Sequence, residues 1–162
     1  MKTLLILRHA KSSWSDSQMV DFDRSLNARG KRAAPRMGRL LVEQDLLPDL
    51  IVSSSARRAR KTAQKAAEAA DYQGEIRLEN GLYGGGPSAY LQILRHLDES
   101  VERVMVVGHN PDLEMLLEQL TGESEILPTA ALVHVRLPLD SWADPIPRGA
   151  CELVTLWRPR EL

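Results

Sequence analysis

The sequence predicts an α/β fold, a three-layer α/β/α sandwich around a mostly parallel central sheet. Three observations predict it. Short continuous apolar runs, which suit strands buried on both faces, alternate with longer segments whose apolar residues recur at helical spacing. The first run starts almost at the first residue and ends in Arg8-His9 rather than in a turn. From Ala131 onward two more strand-like runs follow without a helix between them, so the order reads βαβα with a β-rich end.

Each element has its own signal. Leu4 to Leu7 is the first buried strand. From Ser25 to about Leu47 the residues Leu26, Ala33, Met37, Leu40 and Leu41 follow a near-helical period. Ser25 or Asn27 is placed to cap that helix, and Gly30 and Pro35 weaken its first turns. Pro48 breaks the pattern before the strand Asp49-Leu50-Ile51-Val52-Ser53. Ala56 to Ala70 is rich in strong helix formers and sets Ala59, Ala63, Ala66 and Ala70 on one small face that can lie close to a sheet. Glu75 to Leu78 reads as an edge strand. Gly84-Gly85-Gly86-Pro87 marks a loop before a helix from Ser88 to Leu97, with Ser88 as its cap. Arg103 to Val107 is the clearest strand. The helix after it carries Leu113, Leu116, Leu117 and Leu120 and stops at Gly122. Ala131 to Leu137 and Cys151 to Trp157 are two strands joined by a loop containing Pro138, Pro145, Pro147 and Gly149.

Composition narrows the function class. The 162 residues suit a single domain spanning 1–162, and 43% hydrophobic with 27% charged residues is ordinary globular composition. With Lys+Arg 21 against Asp+Glu 22, the formal charge of -1 provides no bulk attraction to nucleic acid or an anionic membrane, so any anion binding must be local. The single cysteine, Cys151, lies in an apolar run and reads as a small buried hydrophobe. Leu4 to Leu7 is too short for a signal peptide and no run is long enough to span a bilayer, which makes the cytoplasm the expected location. Trp14, Leu127 and Trp142 are either core or docking residues.

Chemistry gathers at three strand ends. Arg8-His9 follows the first, Ser53-Ser54-Ser55 leads to Arg57-Arg58 after the second, and His109 follows Val106-Val107-Gly108. In a parallel sheet these ends share one edge, where ligands bind. Two histidines and at least two arginines would then surround one small, electropositive volume. A phosphoryl group fits it, because guanidinium forks match phosphate oxygens and keep their charge when partly buried. A neutral imidazole can accept phosphoryl covalently, and a second one, if protonated, would stabilise charge on the transferring oxygens. His96, in a helical pattern, and His134, alternating with Val133 and Val135, have no such setting and read as structural or solvated.

These segments resemble the histidine phosphatase, or phosphoglycerate mutase-like, superfamily, and within it the short SixA-type phosphohistidine phosphatases. Leu7-Arg8-His9-Ala10-Lys11 is similar to the family's Arg-His-Gly signature, with Ala10 in place of glycine. Ser54-Ser55-Ala56-Arg57-Arg58-Ala59-Arg60-Lys61-Thr62 is similar to Ser-Pro-x-x-Arg-Ala-x-x-Thr, which selects Arg58 over Arg57. Val106-Val107-Gly108-His109-Asn110-Pro111 resembles the segment bearing the second histidine, and Arg24-Ser25-Leu26-Asn27-x-x-Gly30 resembles Arg-Pro-Leu-x-x-x-Gly. The resemblance implies a phosphoglycerate mutase-like fold and a phosphatase that needs no metal or other cofactor. It implies His9 as phosphoryl acceptor, Arg8 and Arg58 as the phosphate clamp, His109 as a donor to the phosphate, and Arg24 at the pocket border.

The resemblance leaves the general acid open between Glu79 and Asp112, Asp112 also reading as a first-turn helix residue. A site with weak acid assistance suits phosphohistidine, whose leaving group is an imidazole, better than an alkyl phosphate. The expected partner is therefore a phosphohistidine-bearing protein, with a small phosphorylated molecule as the alternative.

Two other classes compete. Polyanion or nucleic-acid binding could use Arg29, Lys31, Arg32, Arg36 and Arg39 with Arg57, Arg58, Arg60, Lys61 and Lys65. These lie on helices whose solvent faces need charge, and aromatics are only 4% of the chain, too few for base stacking to be expected. A metal-dependent hydrolase could draw on His9, His109, Asp16, Asp21, Asp23 or Asp112, but no paired-ligand spacing supports it. Gly84-Gly85-Gly86-Pro87 lacks the Lys-Ser/Thr of a nucleotide-binding loop.

Overall fold

In the structure, a computed structural model that describes residues 1–15 and 18–162, the chain forms one six-stranded sheet with helices on both faces. The elements are β1 Lys2–Arg8, α1 Ala28–Glu43, β2 Leu50–Ser54, α2 Arg57–Ala69, β3 Ile76–Glu79, α3 Pro87–Arg95, β4 Arg103–Gly108, α4 Asp112–Thr121, β5 Leu132–Leu137 and β6 Glu152–Trp157. Strand order is β3-β2-β4-β1-β5-β6. The first four in that order pair in parallel, and β5 runs antiparallel to both β1 and β6. This is the mostly parallel α/β sheet that the alternating pattern predicts.

Strand parity sorts the side chains into two cores. Leu4, Ile6, Val52, Val104, Val106 and Val133 face one core with Leu94, Leu113, Leu116 and Leu117 of α3 and α4. Leu5, Leu7, Ile51, Met105 and Val107 face the other, with Met37 and Leu41 of α1 and the alanines of α2. All of these strand residues are almost wholly buried, which explains why β1, β2 and β4 read as continuous apolar runs. Leu127 and Trp142, left open by the sequence, are core residues, whereas Trp14 is 72% exposed. No helix among the described residues is long and apolar enough to cross a membrane.

The caps explain where helices start and stop. Asn27 caps α1, its side chain accepting from the Gly30 N–H at 2.9 Å, and the helix continues through Pro35. The cap of α3 is Gly86, not Ser88 as the sequence suggests. Pro87 takes the first helical position, where its missing N–H costs nothing, and pulls the start forward. Gly122 ends α4 with a positive φ of 77°, as predicted.

Helices α1 and α2 lie together because small residues meet. A Cβ on Gly38 would run into the backbone carbonyl of Ala66, where neither backbone can yield without moving a helix. Gly38→Ala is therefore expected to lower stability by about 2 kcal/mol in urea unfolding, overpacking outweighing the gain in helix propensity. Gly81→Ala, with nothing near its Cβ, should change it by less than about 0.5 kcal/mol.

Candidate active site

The ends of β2, β4 and β1 lie side by side, and His9, His109 and Arg58 converge there. The rings of His9 and His109 are 5.2 Å apart, centroid to centroid. Arg8 ends β1, its Nη1 donating to the Leu127 carbonyl at 2.9 Å, and His9 follows it immediately. The His9 N–H donates to the Gly108 carbonyl at 3.0 Å, which continues the β1–β4 pairing and ties the two histidine segments together. Thr62 links in α2: its hydroxyl accepts from the Ala10 N–H at 2.9 Å and donates to the Arg58 carbonyl at 2.6 Å.

One hydrogen bond defines the chemistry of His9. Its Nδ1 lies 2.8 Å from the Ala10 carbonyl, which can only accept, so the proton sits on Nδ1. Burial, reinforced by His109, Arg58 and Arg8, pushes the His9 pKa down to about 3. The imidazole is therefore neutral at physiological pH with its lone pair on Nε2, the form that can act as a nucleophile.

His109 is neutral too. Burial and the Arg58 charge push it down to about 4, so the protonated imidazole considered from the sequence is not its state at physiological pH. Its Nε2 is 2.8 Å from Ser54 Oγ, which already accepts from the Ala56 N–H. A serine hydroxyl carries one donor and two acceptor lone pairs, so this contact allows Ser54 to donate to Nε2, the arrangement that places the His109 proton on Nδ1. Its contribution to an anion is an N–H dipole rather than a full charge.

The arginines are held from the loop before α1. Arg58 Nη2 pairs with the Asp21 carboxylate at 2.9 Å and Nη1 donates to the Asp21 carbonyl at 2.7 Å. Arg24 Nε pairs with the same carboxylate at 2.9 Å, under the ring of Trp14 at 3.4 Å. Tyr83 completes the arrangement, donating its hydroxyl to Asp21 at 2.6 Å while its ring meets His109 edge-on. The Tyr83 hydrogen bond, with Arg58 and Arg24, lowers the Asp21 carboxyl to about 2.

His9, His109, Arg8, Arg58 and Arg24 thus gather in one cluster. Arg58, 6% exposed, is the buried member of the Arg57-Arg58 pair. Among the described residues five buried side-chain nitrogens lack a hydrogen-bond partner, and four of them, Arg8 Nε, Arg24 Nη1, Arg58 Nε and His109 Nδ1, lie on these residues, the fifth being Arg103 Nε. Unspent donors and positive charge in one place suit an oxyanion.

Asp21, Ser54 and Tyr83 also take part. In the sequence Asp21 stands out only as a possible metal ligand, Ser54 only as the serine that opens the second motif, and Tyr83 not as a site residue at all. Tyr83 sits in a loop without periodicity, so no pattern marked it. Neither candidate acid joins the cluster by a hydrogen bond: Asp112 accepts from the Gly86 N–H at 3.1 Å, beside α3. Among the described residues no group of three or more His, Cys, Asp or Glu is placed to hold a metal ion; Asp16 lies outside them. Cys151 is buried, and burial pushes its thiol up to about 11.

Residues 4–83 match the model of the histidine phosphatase superfamily, branch 1. An uncharacterized protein of Mycobacterium tuberculosis is 32% identical over 165 residues, covering 95% of this chain and 100% of the relative. The crystal structure of a candidate phosphohistidine phosphatase, SixA, from Agrobacterium tumefaciens is 30% identical, covers 98% of both chains and superposes with a TM-score of 0.84. The tungstate complex of the protein histidine phosphatase SixA has the same TM-score at 21% identity over 98% of both chains, a likeness of fold.

The neutral histidines make stability depend on pH. An unfolded chain binds protons at His9 and His109 below about pH 6.5, whereas the folded chain binds them only near 3 and 4. The unfolded state then holds more protons, so stability falls as pH drops between those values, by about 1.4 kcal/mol per pH unit for each histidine that stays neutral. Urea unfolding from pH 7 to 4.5 should show this slope, and His9→Asn should reduce it.

Proposed function

This chain belongs to the histidine phosphatase superfamily and is a phosphatase of the SixA type, and from that premise we propose that it takes phosphoryl onto His9 Nε2 and passes it to water, with phosphohistidine in proteins as substrate. The observation that carries the mechanism is the Nδ1–H of His9 donating to the Ala10 carbonyl, which leaves Nε2 as the basic nitrogen beside two arginines.

In the first step the Nε2 lone pair forms a bond to phosphorus as the substrate's N–P bond breaks. Arg8, Arg58 and the His109 N–H stabilise charge on the three equatorial oxygens. The phosphorylated His9 ring gains positive character, which the Ala10 carbonyl stabilises through the Nδ1 proton. In the second step water attacks phosphorus, the bond to Nε2 breaks, and His9 returns as the same neutral tautomer. Product leaves as inorganic phosphate. No step calls on a metal.

The substrate class follows from the leaving group. A phosphoimidazole with a proton on its other nitrogen leaves as neutral imidazole, without an acid from the enzyme, whereas an alkoxide needs one. The local carboxylates are engaged elsewhere. Asp21 is ionised between arginines, and Glu114 accepts from the Asn110 side chain at 3.0 Å and the Leu127 N–H at 2.8 Å. The 30% identity to the Agrobacterium tumefaciens structure, a candidate phosphohistidine phosphatase, supports the same class.

The test is turnover of a phosphohistidine-bearing protein and of p-nitrophenyl phosphate, in chelator, with acid-labile label on the enzyme followed in parallel. Wild type should release phosphate from phosphohistidine faster than from the ester and carry the label. His9→Ala should lose the label and roughly 10³-fold or more of the activity, and Arg58→Ala about 10²-fold. Unchanged activity in His9→Ala would overturn the mechanism, and preference for the ester would overturn the substrate class.

A further inference from the structure

One cleft beside the site is lined by neither His9 nor His109. It is an open cleft of about 600 Å³ between the start of α1 and the C-terminal segment, lined by Arg8, Lys11, Arg29, Arg158 and Arg160. Five cations in one cleft contrast with a chain whose formal charge is -1. Among the described residues Lys11, Arg29 and Arg160 have no carboxylate partner, while Arg158 is held by Glu125 at 3.1 Å and Glu161 at 3.8 Å. The wall is braced from α1, where Arg36 Nη1 donates to the Pro159 carbonyl at 3.3 Å.

Size and lining identify the ligand class. The volume lies inside the roughly 300–1,000 Å³ of small-molecule sites, and it is concave, unlike a flat protein-docking face. Its cations call for at least two negative charges, and Ala33 and Pro159 give it apolar sides. We propose that this cleft binds a nucleotide-sized anion, an apolar body carrying two or more phosphate charges. The site stands beside the phosphoryl pocket, sharing Arg8 with it, and does not depend on the His9 chemistry. Part of the basic surface that the sequence distributes along α1, Arg29, thereby acquires a specific role.

The test is isothermal titration with ADP in a His9→Ala background, where the proposed acceptor is absent. ADP should bind, more weakly as salt rises, with a Kd raised tenfold or more in Arg29→Ala/Arg160→Ala and unchanged in Arg58→Ala. Arg29 and Arg160 are exposed, so their removal leaves the core intact, and Arg160→Glu checks the charge dependence independently. Loss of ADP binding in Arg58→Ala would assign the anion to the phosphoryl pocket and overturn the proposal. So would binding unaffected by the double variant or by Arg160→Glu, or no binding of ADP where an acidic peptide binds. If His9→Ala instead retains full phosphatase activity, the mechanism fails while the ADP result still stands or falls by itself.

Discussion

The parallel pairing of β4 with β1 on one side and β2 on the other is the constraint on which the site depends. Parallel strands end at one edge, so three polar segments far apart in the chain become neighbours as soon as the sheet forms. The pairing is stabilised by helix packing on both faces, which buries the apolar residues of the three strands. The histidines sit directly beyond this rigid edge. Their separation is set by backbone pairing, through the Gly108 carbonyl, rather than by loop flexibility.

Position at a sheet edge under helices also sets the electrostatics. Burial keeps both imidazoles neutral, and the arginines discourage protonation further. Concentrating positive charge beside neutral nitrogens is unfavourable in a folded protein unless anions balance it. Asp21 provides that balance for Arg24 and Arg58. The same carboxylate holds both guanidinium groups in place, so the proposed phosphate clamp is positioned before any substrate arrives, which lowers the ordering cost of binding.

Arg8 connects two surfaces of different character. Its guanidinium belongs to the histidine cluster, yet it also lines the basic cleft beside α1 and the C-terminal segment. The phosphoryl chemistry proposed for His9 needs a tight, donor-rich pocket for one phosphate. The cleft, of about 600 Å³ and partly apolar, suits a larger anion.

By itself the sequence determined the alternation of buried strands and helices and the polar segments at the strand ends, while the selection of Arg58 over Arg57 came from the resemblance of the second motif to the family's. These signals are local: apolar runs, helical periodicity and short motifs reflect interactions between residues close in the chain. What depends on distant neighbours leaves no local signal. Asp21 is an ordinary loop aspartate until Arg24, Arg58 and Tyr83 surround it, and the cap of α3 shifted to Gly86 because Pro87 suits the first turn. The tautomer of His9 and the neutrality of His109 were decided only by the tertiary structure, because a proton's position follows from burial and from partners that the fold brings together.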